Sequence, residues 1–342
     1  MAMPVTPSQL GLPDRLDVRE VGLRDGLQIE RPIPTEAKLE LLAALVEAGA
    51  RRIEVTGFVS PRAVPALADA EAVAAAVTQF PGVRFSALVA NVRGAERALA
   101  AGLRDLEYVV SAADGHSQAN AGRSTAEALE EVAAIAKMVH CHGGSCEVIM
   151  ATSWDCPFDG PVAPERVIDL ATTAVRLGAD RLCLGDTIGT TTPGRMATLV
   201  RGIQVANHGI PLGLHLHDTR GAALATLLIG LQLGITQVDA SIGGLGGCPF
   251  APGASGNLAT EELAYLCRDT GIETGLDLSA LLSAARFAES AVGRPLDTGL
   301  LRAGDRQQAP WQPHPRANPA PIRADYTRRG VEDRPVIEEE ES

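Results

Sequence analysis

The sequence predicts an α/β fold, a (β/α)8 TIM barrel with an added C-terminal helix and an extended tail. Three observations lead there. Short apolar runs alternate with longer Ala/Leu/Glu-rich helical patterns along most of the 342 residues. The alternation supplies eight candidate strands, the number that closes a parallel barrel. Residues suited to chemistry follow strands spread around the whole order, which favours closure. An open doubly wound sheet also suits the alternation, but it does not account for that spread.

The first candidate strand is Leu16–Val21, followed by the helical stretch Thr35–Ala48, which Pro34 and Thr35 start and Gly49 stops. Arg52–Thr56 leads to Ala66–Gln79. Phe85–Val89 and Asp105–Ser111 come next, with Thr125–His140 after them. Cys146–Ala151 precedes Pro164–Leu177, Arg181–Leu184 precedes Pro193–Ala206, and Pro211–His217 precedes Gly221–Leu233. Gly178 and Gly234 stop the helices they follow, as glycine commonly does. Gln237–Ile242 completes the series, and Leu278–Val292 reads as an amphipathic helix outside it. These bounds place one catalytic barrel domain at 14–292. From Ala303 the composition turns to Pro, Arg and Gln and ends in Glu338–Glu341, so 303–342 reads as a flexible or surface-wrapping tail.

The chain is 46% hydrophobic but only 3% aromatic, which predicts a large, mostly aliphatic core. A formal charge of −12 excludes a general nucleic-acid binder, because phosphate backbones are gripped by an excess of Lys and Arg. An anionic substrate would therefore be met by local cations. The six cysteines lack disulfide-framework spacing, and Met1–Pro13 contains no arginine. No apolar run reaches the roughly 18 residues of a membrane span. These features predict a reducing compartment, the cytoplasm, and no membrane partner.

The densest local signal is Gly243–Glu261, where Cys248 sits among glycines shortly before a helix start. Glycine permits sharp bends and close approach to a ligand, and a buried inert thiol needs no such loop. Upstream, Leu214–Thr219 reads Leu-His-Leu-His-Asp-Thr. On a strand, His215 and His217 point to one face and can share a divalent ion. The same spacing also fits one ligand beside one structural histidine. His140 and His142 are spaced alike, but at a helix end, where residues two apart diverge by roughly 200°.

Taken with Glu20–Gln28 (Glu-Val-Gly-Leu-Arg-Asp-Gly-Leu-Gln), these segments resemble the hydroxymethylglutaryl-CoA lyase family, within the metal-dependent lyase/synthase barrel superfamily. Gly57–Pro61, Cys156–Gly160 and Leu184–Gly189 follow in the family's order, and the likeness runs from about Leu16 to about Val292. The resemblance implies Asp25, His215, His217 and Asn257 as ligands of one divalent cation. A donor set without thiolate suits Mg²⁺ or Mn²⁺. It further implies Arg24 as the cation at a thioester oxygen and Cys248 as a thiol in proton transfer, with His215 and Asp186 as additional catalytic groups. Arg24, Gln28 and Glu54 are its implied substrate-binding positions, and Glu20 and Glu261 take supporting places.

A family site of this kind cleaves a 3-hydroxyacyl-CoA with a tertiary alcohol by a retro-Claisen step. The hydroxyl loses its proton, the carbon–carbon bond breaks, and the thioester half leaves as an enolate that must be protonated. A Lewis acid, a cation, a base and an acid meet these needs. The expected reaction is cleavage of 3-hydroxy-3-methylglutaryl-CoA to acetyl-CoA and acetoacetate, or of a close 3-hydroxy-3-alkylglutaryl-CoA. The expected partner is an acyl-CoA and the expected assembly a homo-oligomer, dimer or larger. A Claisen-condensing acyltransferase of the isopropylmalate or homocitrate synthase type shares the ligands but generally lacks the Gly-Gly-Cys loop. A non-catalytic metal-binding barrel would not need Arg24 and the thiol. Gly57, Ala63, Val148–Trp154 and Cys183 depart from the family's usual residues. Gly57, Ala63 and Ile149 predict a pocket with more room, suited to a longer 3-alkyl group.

Overall fold

In a computed structural model, which describes residues 6–247 and 256–307, the eight strands close into one parallel barrel. They are β1 (Asp17–Glu20), β2 (Arg52–Phe58), β3 (Arg84–Val89), β4 (Asp105–Ser111), β5 (Ser145–Ala151), β6 (Arg181–Asp186), β7 (Leu212–Leu216) and β8 (Gln237–Ala240). Each pairs in parallel with its neighbours in chain order, and β1 pairs with both β2 and β8. At that closing seam Asp17, Val18, Arg19 and Glu20 stand opposite Gln237, Val238, Asp239 and Ala240.

The outer layer is α1 (Thr35–Glu47), α2 (Ala70–Ala76), α3 (Val92–Ala100), α4 (Asp114–Ala121), α5 (Thr125–Cys141), α6 (Pro164–Arg176), α7 (Pro193–Ala206), α8 (Ala223–Gln232) and α9 (Thr260–Thr270). Beyond it come α10 (Leu278–Val292) and α11 (Gly299–Ala303). Helix α5 opens on a reciprocal cap, Ser124 accepting the Glu127 amide while the Glu127 carboxylate accepts the Ser124 amide. Ala66–Gln79, expected as one helix, is interrupted: short 3-10 turns flank α2, and Pro65 starts the first of them. Beside α11, two helices within the barrel come in addition to the sequence pattern. Asn91 caps α3 by accepting the Gly94 amide, and α4 fills the link between β4 and α5.

Packing continues past Val292. Thr298 donates to Glu261 at 2.9 Å, and Arg268 reaches Asp305 at 2.6 Å. The tail from 308 onward lies outside the described residues, as do 1–5 and Cys248. Among the described residues no helix is long and apolar enough to cross a membrane.

Strand alternation divides the interior in two. Outward residues such as Ile53, Leu106, Val148, Leu182 and Leu214 join the inner faces of the helices in a mostly aliphatic core. On the alternate positions are Arg19, Glu54, Glu107, Glu147 and Asp239, all buried. Arg19 gives two hydrogen bonds of 2.8 Å to Asp239 and meets Glu107 at 2.6 Å and Glu147 at 2.7 Å. Arg52, from the start of β2, approaches Glu147 at 3.1 Å.

Two guanidiniums, Arg19 and Arg52, among three carboxylates leave an excess of negative charge. Burial, opposed by Arg19 and reinforced by Glu54 and Glu147, pushes the Glu107 carboxyl up to about 8. On this group the folded chain keeps a proton that the unfolded chain gives up near 4.5. Its contribution to stability is therefore complete below that value and is lost as pH rises through about 8. Glu107→Gln removes this dependence. Denaturant titrations at pH 6 and pH 9 should show the variant gaining on the parent at the alkaline point, and parallel losses would contradict the assignment. Arg19→Met should cost about 3–5 kcal/mol, because it strands buried carboxylates.

Candidate metal centre

β1 ends at Glu20, and the chain turns at once through a single π-helical turn, Gly22–Gly26, that carries Arg24 and Asp25. The turn packs so closely that a Cβ on Gly26 would lie 2.9 Å from both Leu245 Cβ and Ser241 Oγ. Glu20 anchors it by accepting the amides of Gly22 at 2.8 Å and Ile242 at 2.9 Å and the Thr260 hydroxyl at 2.5 Å. Those bonds join β1 to the segment after β8 and to the start of α9. Gly246, at φ +111°, is equally constrained, since a Cβ there would come within 2.4 Å of Asn257 Nδ2.

β7 supplies His215, and His217 follows just past its end, bridged to Asn257. The Nε2 atoms of the two histidines are 3.3 Å apart, and each lies 3.9 Å from Asp25 Oδ2. A point roughly 2.2 Å from all three atoms lies between them, near the bond lengths of divalent metals to nitrogen and oxygen. These three buried residues therefore fit one divalent cation. Asn257 is beside them, its Nδ2 donating to Asp25 at 2.7 Å and to the Leu245 carbonyl at 2.9 Å. Turning that amide over would present its oxygen to an ion.

The protonation states of Asp25 and His217 suit ligation, while His215, against the cost of burial, is raised by Asp239 and Asp25. Against the cost of burial, Arg24 and the two histidines hold Asp25 down at about 2. Burial and the neighbouring His215 push His217 down to about 4. His215 Nδ1 meets Asp239 at 3.0 Å, a carboxylate contact that fixes the ring and directs Nε2 toward the ion. The sequence reading did not single out Asp239. Its signal was an acidic residue inside an apolar strand, directly opposite His215 on the neighbouring strand.

Arg24 is held from two sides, Nη1 at 2.5 Å from Asp25 and Nε at 2.7 Å from Glu54. Glu54 is completely buried, so it meets Arg24 rather than the cavity. Gln28 donates to Asp25 at 2.9 Å and lines the cavity with Arg24, Thr187 and the two histidines. Asp186 is the last residue of β6, and its carboxylate accepts the amides of Thr190 and Thr191, both at 2.9 Å. Its neighbours Gly185 and Thr187, not Asp186, form the wall. Glu261 accepts the Gly243 amide at 3.0 Å and the Thr298 hydroxyl at 2.9 Å, which places it behind the glycine segment. Cys248 lies outside the described residues, although Gly247, just before it, lines the cavity.

The roomier pocket expected from Gly57 and Ala63 needs correction. A Cβ on Gly57 would meet Leu67 at 3.2 Å and the Arg24 stem at 3.6 Å, so that glycine makes room for protein, and Ala63 is exposed. Of the three positions only Ile149 reaches the cavity, where Leu88 and Val109 accompany it.

A closed parallel barrel with a carboxylate and two histidines gathered at the C-terminal ends of its strands defines a barrel enzyme built to hold a divalent metal. The chain belongs to the HMGL-like family, whose model matches residues 15–288. It is 40% identical to a hydroxymethylglutaryl-CoA lyase of Bacillus subtilis, over 85% of this chain and 97% of that one. It is 41% identical to an (R)-citramalyl-CoA lyase of Chloroflexus aurantiacus, over 85% and 95%. A solved HMG-CoA lyase from Acinetobacter baumannii, in complex with coenzyme A and 3-methylmalate, superposes with a TM-score of 0.83 at 36% identity, over 88% of this chain and 98% of that one. Both curated names denote carbon–carbon lyases, the enzyme class of this chain.

Calorimetry with Mn²⁺ should show affinity falling at least tenfold in Asp25→Ala and His217→Ala. Asp239→Asn keeps every ligand but loosens His215, so a loss of about 10–100-fold is expected. Unchanged affinity in the His217 variant would remove that residue from the ligand set.

Proposed function

We propose that this chain binds Mg²⁺ or Mn²⁺ at Asp25, His215, His217 and Asn257 and cleaves a 3-hydroxyacyl-CoA by a retro-Claisen step. The leading substrate is 3-hydroxy-3-methylglutaryl-CoA, giving acetyl-CoA and acetoacetate. The observation that carries this reading is the convergence of Arg24 with the three ligand atoms on one cavity. The bound ion would supply Lewis acidity toward the substrate's hydroxyl and carboxylate oxygens.

The chain's own groups supply the rest. Arg24 is kept protonated by Glu54 and Asp25, and its position on the wall suits the oxygen that gains charge as the bond breaks. Because Glu54 and Asp25 fix the guanidinium in advance, little reorganisation is needed at that moment. Cys248, which follows Gly246 and Gly247 in the sequence, is the proposed proton carrier, and His215, steadied by Asp239, is a second catalytic group beside the ion. Gln28 orients Asp25 and borders the acyl group. Asp186 acts by shaping the loop that presents Thr187.

A second reading has its own support. The Chloroflexus relative is named for (R)-citramalyl-CoA, and the Acinetobacter structure holds 3-methylmalate with coenzyme A. Both are hydroxy acids shorter than hydroxymethylglutarate. The cavity, about 120 Å³ and lined by Ile149, Leu88 and Val109, is compatible with a short acyl head.

Purified protein stripped with chelator should lose turnover and regain it with Mg²⁺ or Mn²⁺. Comparing kcat/KM for hydroxymethylglutaryl-CoA, its 3-ethyl homologue and citramalyl-CoA would choose among substrates, and full activity after verified metal removal would reject the metal reading. Cys248→Ser should lower kcat by at least about 10²-fold while leaving Mn²⁺ affinity unchanged. Near-normal kcat in that variant would take Cys248 out of proton transfer.

A further inference from the structure

We propose that His116 sets substrate specificity, forming a hydrogen-bonding wall across the barrel from the metal ligands that meets a neutral hydroxyl or carbonyl group of the bound acyl-CoA. This deepens the lyase reading above and rests on it. In the closed ring β4 lies four places from β8 in either direction, so the start of α4 faces the seam that bears Asp25 and Asn257. His116, on α4, lines the same cavity as Arg24 and the two metal-site histidines. Between these poles the wall is apolar, formed by Leu88, Val109 and Ile149.

The imidazole is built in. It is 4% exposed, and its Nδ1 lies 2.6 Å from the hydroxyl of Ser111, itself 3% exposed. That contact fixes the ring's orientation from the end of β4. Asn120, one helical turn further along α4, lines the cavity at its exposed side and adds an amide.

Charge decides what this wall can recognise. Burial, opposed by Asp159, pushes His116 down to about 4, so the ring is neutral at physiological pH. A neutral imidazole beside an amide suits a neutral oxygen. A carboxylate is better served across the barrel by Arg24 and a metal ion. An acyl-CoA offers the neutral group from two sources, an oxygen carried on the branch at its hydroxyl-bearing carbon, or an amide of the pantetheine arm.

Three variants and two readouts test this. His116→Phe fills the space without a hydrogen bond, His116→Met does so with a more adaptable side chain, and His116→Gln retains the bond. Free coenzyme A is titrated calorimetrically into Mn²⁺-loaded protein. In parallel, kcat/KM is measured for 3-hydroxyacyl-CoA substrates with methyl and hydroxymethyl branches. The expected result is a loss of about tenfold or more in the Phe and Met variants, the scale of one lost hydrogen bond, with Gln within a few-fold of the parent and Mn²⁺ affinity unchanged throughout. Loss on coenzyme A and on every substrate alike identifies the pantetheine amide. Loss confined to the hydroxymethyl substrate identifies the branch. Equal coenzyme A affinity and equal kcat/KM in parent, Phe and Met proteins would overturn the proposal. If the parent cleaves no thioester, the lyase reading fails, and the coenzyme A titration alone decides for or against His116.

Discussion

Arg19 makes it possible to build the inside of this barrel from carboxylates. Its guanidinium holds Asp239 through two hydrogen bonds while meeting Glu107 and Glu147 with its other edges. Asp239 holds His215, and His215 fixes one corner of the metal-ligand triangle. A barrel interior is usually filled by layers of branched aliphatic side chains. Here a buried charge array takes part of that space, at a desolvation cost that only good geometry and full pairing can offset. The return is a set of side chains that cannot relax independently.

A second chain of charges approaches the same place from another side. Glu54 holds Arg24, and Arg24 holds Asp25, each at ion-pair distance within a buried setting. The two alternating series, Arg19–Asp239–His215 and Glu54–Arg24–Asp25, end on neighbouring atoms at the mouth, and Glu107 stays protonated beside Arg19 near neutral pH. Shifting any member would bring like charges closer or leave an ion unpaired. This is electrostatic preorganisation in its structural form, with dipoles and charges set before substrate arrives. Glu20 adds the mechanical counterpart, since its three accepted hydrogen bonds tie the π-turn to the segment after β8 and to α9.

Much of the fold was legible because barrel strands and helices announce themselves by period. β4 has the bounds read from sequence, as do α7 and α10. His215 and His217 were visible for the same reason, a period of two on a strand. Asp25 and Asn257 were not visible from local pattern, since an Asp before Gly and an Asn before a helix have ordinary turn and cap explanations. Only the family likeness picked them out. Arg19, Glu107, Glu147 and Asp239 were hidden by a reversal of the usual rule. On these strands the polar residues face the barrel axis and the apolar ones face the helices, so charge no longer marks solvent. Gly57 misled through a similar gap, because a missing side chain reveals nothing about whether ligand or protein fills the space it leaves.

The seam between β1 and β8 gives this architecture a direction in time. Arg19 is separated from Asp239 by 220 residues, and Asp25 from Asn257 by 232. A chain emerging from the ribosome therefore carries Arg19 without Asp239, and Asp25 without Asn257, through most of its synthesis. A nascent chain that has not yet reached the last strand cannot assemble the ligand triangle in its final form, however much of the helical layer has already packed. Metal ion can thus reward only a finished molecule, adding its binding free energy to the folded state and none to a fragment. In a cell, the ion would distinguish completed chains from interrupted ones, leaving the latter without its protection when proteases compete for them.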